Sequence, residues 1–161
     1  MIAALVNLTP GVGRTTLAVN LAGELALQGK RVALLDVDGC AGSREWAGRR
    51  RANGLPALFD TITSSPLRCG VWGLATSFDH ILLDTPARSP AAVRAALLAA
   101  ETVLGLRLPL IEAVIRERWT FAESRSTGLL VPELELAGRA EVEVRHLVSE
   151  VFGWGSASSA G

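Results

Sequence analysis

A short glycine-containing segment near the start of the chain, residues 8–16, constrains the fold more than any other feature. The apolar run at 2–8 predicts a buried strand before it, and the apolar spacing of 17–22 predicts a helix after it. Gly11 and Gly13 permit backbone angles that turn N–H groups inward, and the helix N-terminus adds a partial positive charge. The segment therefore predicts a phosphate cradle, with a tight turn that holds no ligand as the alternative.

One position of this segment departs from the usual pattern. Phosphate-binding loops end in Gly-Lys-Thr or Gly-Lys-Ser, and Arg14 stands here in the lysine position, before Thr15. The chain has fifteen arginines and a single lysine, Lys30, so arginine occupies nearly every basic position. A guanidinium keeps the charge, but it is planar and forked and does not place one compact charge between two phosphates. We therefore expect phosphate binding with slow hydrolysis.

Length and composition predict one globular domain, residues 1–152, followed by a disordered Gly/Ser/Ala-rich tail at 153–161. Sixteen basic residues balance sixteen acidic ones, so no global field favours nucleic acid or membrane. Two cysteines do not make a disulfide scaffold or a metal site. The N-terminus lacks a signal-peptide pattern and no apolar run is long enough to span a bilayer, so we expect a cytoplasmic protein without a transmembrane segment.

Strand and helix patterns alternate along the chain. The patterns predict strands at 2–8, 31–38, 78–86, 102–108 and a short one at 128–134, with helices from the glycine loop to 29 and at 41–52, 89–101, 109–124 and 140–152. Residues 53–78 carry no clear pattern. This order predicts an α/β fold, a doubly wound and mostly parallel sheet with helices on both faces. Its ligand crevice lies at the carboxyl ends of the strands.

Acidic side chains end two of the predicted strands. Asp36 and Asp38 end the second strand, and Asp84 ends the third. The carboxyl ends of parallel strands meet at one edge of the sheet, so these acids are expected beside the glycine loop. Carboxylates and the hydroxyl of Thr15 are oxygen ligands suited to Mg²⁺. Each acid taken alone would more often be a solvated loop residue or a helix cap.

Three motifs in this order carry a resemblance to a known family. Gly-Val-Gly-Arg-Thr-Thr at 11–16, Arg-Val-Ala-Leu-Leu-Asp-Val-Asp at 31–38 and Phe-Asp-His-Ile-Leu-Leu-Asp-Thr-Pro at 78–86 resemble the ParA/MinD family of deviant Walker A P-loop ATPases. The similarity is strong to about residue 110 and looser to 152, and it is greatest to the small partition ATPases. It implies the P-loop NTPase fold, ATP or ADP with Mg²⁺, and a homodimer that binds DNA or membrane nonspecifically. It also implies a partner protein of the ParB type that stimulates hydrolysis.

The resemblance assigns roles to matching positions of this chain. Asp38 corresponds to the acid that positions or activates the attacking water, with Arg14 as the second catalytic residue. Thr15, Asp36 and Asp84 correspond to the magnesium site. The nucleotide-binding positions are Gly11, Val12, Gly13, Arg14, Thr15 and Thr16.

The chain also departs from the family pattern. Thr9 replaces the signature lysine that reaches the partner's nucleotide, and Pro10 replaces a glycine and removes one N–H donor. Gly-Cys at 39–40 replaces Pro-Gln. Between Ser124 and Gly128 the chain lacks a strand, a helix and a further strand that the family places there.

Two functions follow from this mixture of retained and lost residues. The first is an ATP- and Mg²⁺-dependent switch with weak hydrolysis, acting in plasmid or chromosome partitioning or in cargo positioning. The alternative is a catalytically degenerate P-loop fold that serves as a protein-binding module. The basic cluster formed by Arg44, Arg49, Arg50 and Arg51 is predicted to be a solvated helix face, with DNA contact as its alternative.

Overall fold

The computed structural model describes residues 1–6, 9–37, 42–64, 70–86, 89–104, 116, 118–135 and 138–153. Its strands and helices alternate over the first two thirds of the chain, and helices follow. In chain order they are β1 (Ile2–Leu5), α1 (Arg14–Leu27), β2 (Val32–Asp36), α2 (Gly42–Ala52), β3 (Asp60–Thr63), α3 (Val71–Leu74), β4 (His80–Asp84), α4 (Pro90–Leu104), α5 (Trp119–Thr127), α6 (Val131–Leu134) and α7 (Arg139–Phe152).

The described strands form one sheet in the order β1-β4-β2-β3, and every neighbouring pair is parallel. The β4 strand lies between β1 and β2. The neighbour of β1 in the sheet is therefore a strand from much later in the chain. The predicted fold class, an α/β fold with a mostly parallel sheet, is confirmed.

Both faces of the central strands β2 and β4 are buried, which explains their continuous apolar runs. Val32, Leu34 and Leu82 belong to the core on the face covered by α1 and α7. Alternate residues of the same strands face the other way, where helix α4 contributes Ala96 and Ala99 to a second core. The strand members of that second core are Ile2, Ala33, Leu35, Ile81 and Leu83.

Two boundaries predicted from the sequence are wrong, one at α4 and one at α5. The strand expected at 102–108 is wrong at its start, because α4 continues to Leu104. The alanine- and leucine-rich stretch has no helix-breaking residue before Gly105, so helix propensity carries it onward. Of the helix expected at 109–124, the described part begins at Trp119, because Arg118 is extended and Arg116 is not helical. Residues 105–115 lie outside the described part of the chain.

The short strand expected at 128–134 is also wrong. Gly128 ends α5 with a left-handed φ of 77°, and Val131–Leu134 then forms a helical turn. Pro132 lacks the N–H that a strand would need, and it fits the first turn of a helix. Leu130 packs beneath α1 instead of joining the sheet, in space left by the missing side chain of Gly23.

The unassigned stretch at 53–78 contains β3 and α3, two short elements of four residues each. The β3 strand is half-exposed and pairs only with β2 among the described strands, so it lacks the long apolar run of a central strand. The closing helix expected at 140–152 is confirmed as α7. The predicted disordered tail lies beyond the described residues, apart from Gly153. No helix in the described part of the chain is long and apolar enough to cross a bilayer.

Gly128 and Gly48 provide a matched test of this packing. A Cβ at Gly128 would lie 2.3 Å from the Arg50 backbone N, at a φ that side chains rarely adopt, whereas a Cβ at Gly48 meets nothing within 4 Å. We expect Gly128→Ala to lower the free energy of unfolding by roughly 3 kcal/mol, from backbone strain and overpacking together. Gly48→Ala should raise it by about 0.5–1 kcal/mol through helix propensity. Urea denaturation of both variants measures the difference, and equal stabilities would contradict this account of the turn.

Candidate functional site

The glycine loop ends β1 and opens α1. Gly11 and Gly13 have φ angles of 77° and 83°, which lie in the left-handed region that favours glycine. A Cβ at either position would meet nothing within 4 Å, so backbone conformation and not space requires glycine here. Helix α1 begins directly after Gly13, and the exposed Val12 sits at the crest of the loop. The loop therefore brings Arg14 and the two threonines after it to the N-terminus of a helix.

Two acids lie side by side beneath this helix start. Asp36 and Asp84 occupy paired positions at the ends of β2 and β4, with relative exposures of 1% and 0%. The Thr15 hydroxyl donates to Asp84 Oδ2 at 2.7 Å. The sequence placed these segments at one edge of the sheet, and the structure brings Thr15, Asp36 and Asp84 together there. Asp38 lies outside the described residues.

Ser43 joins this group and was not among the predicted site residues. Its hydroxyl lies 3.4 Å from Asp84 Oδ2, and its side chain is fully buried. The neighbouring Gly42 explains how α2 comes so near, because a Cβ there would lie 3.0 Å from Thr15 Cγ2. A serine near a helix start is common for capping alone, so the sequence carried no signal that would single out Ser43.

The donor atoms of this group suit Mg²⁺. Two buried carboxylates and two hydroxyls supply oxygen ligands, and a hard cation of this kind is held by one or two carboxylates together with substrate phosphates and water. No cluster of three or more His, Cys, Asp or Glu that could hold a metal by itself occurs among the residues the structure describes. The arrangement therefore fits a magnesium ion shared with a phosphorylated ligand.

A cleft of about 730 Å³ opens beside the glycine loop. One wall is the loop with Arg14 and Thr16, and the other is formed by the start of α5 and the residues before it. Arg116, Arg118 and Arg125 line that second wall, and sequence reasoning missed all three. Arg116 and Arg118 lie in the region predicted as a helix, but neither is helical. Helical spacing therefore did not predict that they face the loop.

The Glu143 carboxylate holds two of these arginines. It accepts from Arg118 Nη2 at 2.6 Å and lies 3.6 Å from Arg116 Nη1. The hydrogen bond from Arg118 is the main reason that the pKa of Glu143 lies below its usual value. The same bond raises the pKa of Arg118. Helix α7 thus fixes one wall of the cleft.

The basic cluster on α2 is divided between interior and surface, so the expectation of a single solvated face is wrong. Arg50 is 3% exposed and makes a bidentate pair with Glu133, at 2.6 and 2.8 Å. Arg49 donates to the Arg125 carbonyl at 3.0 Å. Arg44, Arg49 and Arg51 are exposed, and Arg44 and Arg51 line the groove between α2 and β3. Arg50 serves to join α2 to α6, because a buried guanidinium needs a partner charge.

Comparison with known proteins agrees with this geometry. Residues 1–68 match a family model described as an AAA domain. The chromosome-partitioning ATPase Soj of Thermus thermophilus is 37% identical over 105 residues, which cover 58% of this chain and 39% of Soj. The resemblance to the ParA/MinD-type P-loop ATPases is confirmed. The chain spans well under half of the length of that curated relative of the ParA/MinD type.

Two solved structures of ParA/MinD-type proteins share the fold. The MinD cell division protein of Aquifex aeolicus superposes with a TM-score of 0.62 at 16% identity, over 94% of this chain and 97% of that one. The apo McdA structure from Cyanthece gives a TM-score of 0.59 at 13% identity, over 92% of this chain and 98% of that one. At such low identity these likenesses establish the fold alone.

The pair between Arg118 and Glu143 predicts a pH-dependent contribution to stability. Glu143 has a folded-state pKa below its ordinary value of 4.5, so the pair stabilises the fold above that pH and the contribution is lost as pH falls through the folded-state pKa. We expect Glu143→Gln to lower the free energy of unfolding by about 1 kcal/mol at pH 7 and by much less at pH 3. Urea denaturation at both pH values measures this, and a pH-independent difference would contradict it.

Proposed function

We propose that this protein is a ParA-like nucleotide-binding switch that takes ATP or ADP together with Mg²⁺. The observation that carries the proposal is the 2.7 Å hydrogen bond from Thr15 to the fully buried Asp84, directly below the glycine loop. A hydroxyl at the first turn of a loop-borne helix and an acid at a strand end are the pair that holds magnesium in P-loop proteins. Asp36 beside them adds a second carboxylate.

Each part of the site has a defined task in this proposal. The loop from Gly11 to Gly13 presents N–H groups to the phosphates, and Arg14 adds its charge. Thr15 and Asp84 hold the magnesium, which neutralises charge that develops on the phosphates when it is bound. Asp38, by its resemblance to the family, positions the attacking water.

The departures in the loop support weak hydrolysis. Arg14 carries its charge on a broad planar group, and Thr9 offers no ammonium to a neighbouring nucleotide. Pro10 removes one backbone donor from the cradle. These losses affect hydrolysis more than binding, because hydrolysis needs charges aimed at the phosphate that reacts in the transition state.

The wider role we propose is partitioning of a plasmid or chromosome, or positioning of another cargo. Its support is the similarity to Soj, whose name states chromosome partitioning, and the family pattern of the three motifs. A homodimer, a stimulating partner of the ParB type and nonspecific DNA belong to the same proposal. Arg49 is exposed but is held by the Arg125 carbonyl and Glu45, so Arg44 and Arg51 are the candidates for DNA phosphates on α2.

A protein-binding module that has lost nucleotide binding is the second candidate. Pro10 and Arg14 favour it, because both lie in the cradle itself. The retained contact between Thr15 and Asp84 favours the first candidate, since a buried acid without a function is costly to keep. Nucleotide binding therefore separates the two.

The magnesium pair is tested by titrating ATP calorimetrically with and without Mg²⁺. We expect binding that is tighter with the cation, and Thr15→Val should reduce the magnesium-dependent gain about tenfold because one oxygen ligand is lost. Thr76→Val is the matched control, since Thr76 lies in the turn after α3 and its hydroxyl donates to the Gly73 carbonyl, away from the glycine loop. It should bind ATP like the natural chain. No heat of binding at millimolar ATP or ADP would favour the protein-binding module.

The substituted loop is tested by restoring lysine. We expect slow or undetectable ATP hydrolysis in the natural chain and a gain on the order of a hundredfold in Arg14→Lys, because a compact charge returns between the phosphates. Adding Thr9→Lys should increase the rate further if a sandwich dimer forms. Phosphate release measured at saturating ATP gives these rates.

Asp38→Ala in the lysine variant is the control for this experiment, and it should abolish the gain if that acid positions the water. A natural chain as fast as its lysine variants would show that Arg14 and Thr9 do not limit the reaction. Variants that bind ATP but stay inert would show the same.

A further inference from the structure

The cleft beside the glycine loop has an unusual charge. Among the described residues, four arginines line it, and the other lining side chains are apolar, small or hydroxyl-bearing, without an acid in that part of the chain. They come from opposite walls: Arg14 from the loop, and Arg116, Arg118 and Arg125 from the segment around α5. Like charges that converge on one cleft raise its positive potential, which favours an anionic ligand.

Acids that are not among the described lining residues compensate part of this charge. Glu143 on α7 contacts Arg118 and Arg116 and is itself not a lining residue. Glu135 also acts electrostatically on Arg118. Among the described residues that line the cleft, however, every charged side chain is positive.

Arg118 supplies the second observation. Its Nη2 donates to Glu143, but its Nε–H is buried and has no acceptor within the described part of the chain. A buried charged donor without an acceptor is costly, so this atom indicates an acceptor supplied from elsewhere. Arg118 lines the cleft, so an oxyanion there would meet its guanidinium, whose fork matches phosphate geometry.

We infer that Arg118 and Arg125 form a second, intramolecular phosphate clamp that faces the glycine loop. The inference rests on the proposed function, because it makes these arginines part of the same nucleotide site. The ligand class is a nucleoside triphosphate, since a 730 Å³ cleft has the size of a small-molecule site and adjoins a phosphate cradle. The clamp binds the phosphate chain from the side opposite Arg14.

The helix that carries Arg125 is held firmly in place. Asn20 on α1 donates to Ser124 Oγ at 3.0 Å, and Trp46 Nε1 on α2 donates to the Ser124 carbonyl at 3.0 Å. Arg49 on α2 donates to the Arg125 carbonyl. These bonds fix α5 against the loop helix, so the second wall of the cleft is preorganised and loses little freedom on binding.

Calorimetric titration with three probes tests the clamp: ATP, inorganic tripolyphosphate and adenosine, each in the presence of Mg²⁺. We expect the natural chain to bind ATP and tripolyphosphate but to bind adenosine weakly. Arg125→Gln and Arg118→Gln should each weaken both phosphate ligands roughly tenfold, because each removes a charge-assisted contact. The double variant should also show a flatter dependence of affinity on salt.

Two controls separate a lost contact from a damaged fold. Glu143→Gln breaks the same ion pair as Arg118→Gln but leaves the cleft's arginines in place, so it should retain or increase affinity for tripolyphosphate. Arg94→Gln removes an exposed arginine on α4, away from the cleft, and should bind all probes like the natural chain. Arg125 is exposed, so its variant tests the clamp without disturbing a buried pair.

The outcomes distinguish this inference from the function on which it rests. A natural chain that binds no ATP overturns the proposed function. ATP binding that is unchanged in Arg118→Gln and Arg125→Gln overturns the clamp alone. Loss of ATP with tripolyphosphate binding retained also overturns it, since the arginines would then contact the nucleoside. Equal losses in Glu143→Gln and Arg118→Gln would assign the effect to the ion pair.

Discussion

The burial of α1 on nearly all sides is the constraint on which the rest of the structure depends. Nine of its residues are buried, from Thr16 to Leu25, because the sheet lies beneath it and α7, α2 and α5 surround it. A helix enclosed in this way cannot shift without disturbing the sheet that separates the two cores. Its N-terminus is therefore fixed, and with it the glycine loop and Thr15. A site that must hold phosphate and metal at defined distances benefits from such a rigid base.

Several buried polar side chains around α1 are joined by hydrogen bonds to neighbouring helices. Asn20 donates to the Thr16 carbonyl and accepts from the Val131 N–H at 2.7 Å, so one side chain joins the loop helix to the start of α6. Arg50 and Glu133 connect α2 to the same region. Burial would raise the pKa of Glu133, but hydrogen bonds from Arg50 and from the Leu130 N–H outweigh it and hold the pKa below its usual value. Residues 128–135 thus do not form the expected strand, and their polar contacts join α6 to α1 and α2.

Local signals predicted most of the strands and helices that position the site. The apolar runs of β1, β2 and β4 contribute to both cores, so each strand can be predicted without knowledge of its neighbours. Predictions were wrong where a local pattern suited two structures, as at 128–134, where apolar residues pack under a helix instead of in the sheet. The half-exposed β3 gave no signal, because an edge strand lacks a long apolar run. The roles of the site residues stay predictions.

The sequence by itself determined the glycine loop, the acids that end β2 and β4, and the parallel order that brings them to one edge. These follow from backbone freedom at Gly11 and Gly13 and from the alternation of apolar runs with helices. Only the tertiary structure decided that Ser43 reaches Asp84, and that Arg118 and Arg125 line the cleft opposite the loop. Those contacts join residues far apart in the chain, and their distances depend on how helices pack, which no local pattern encodes.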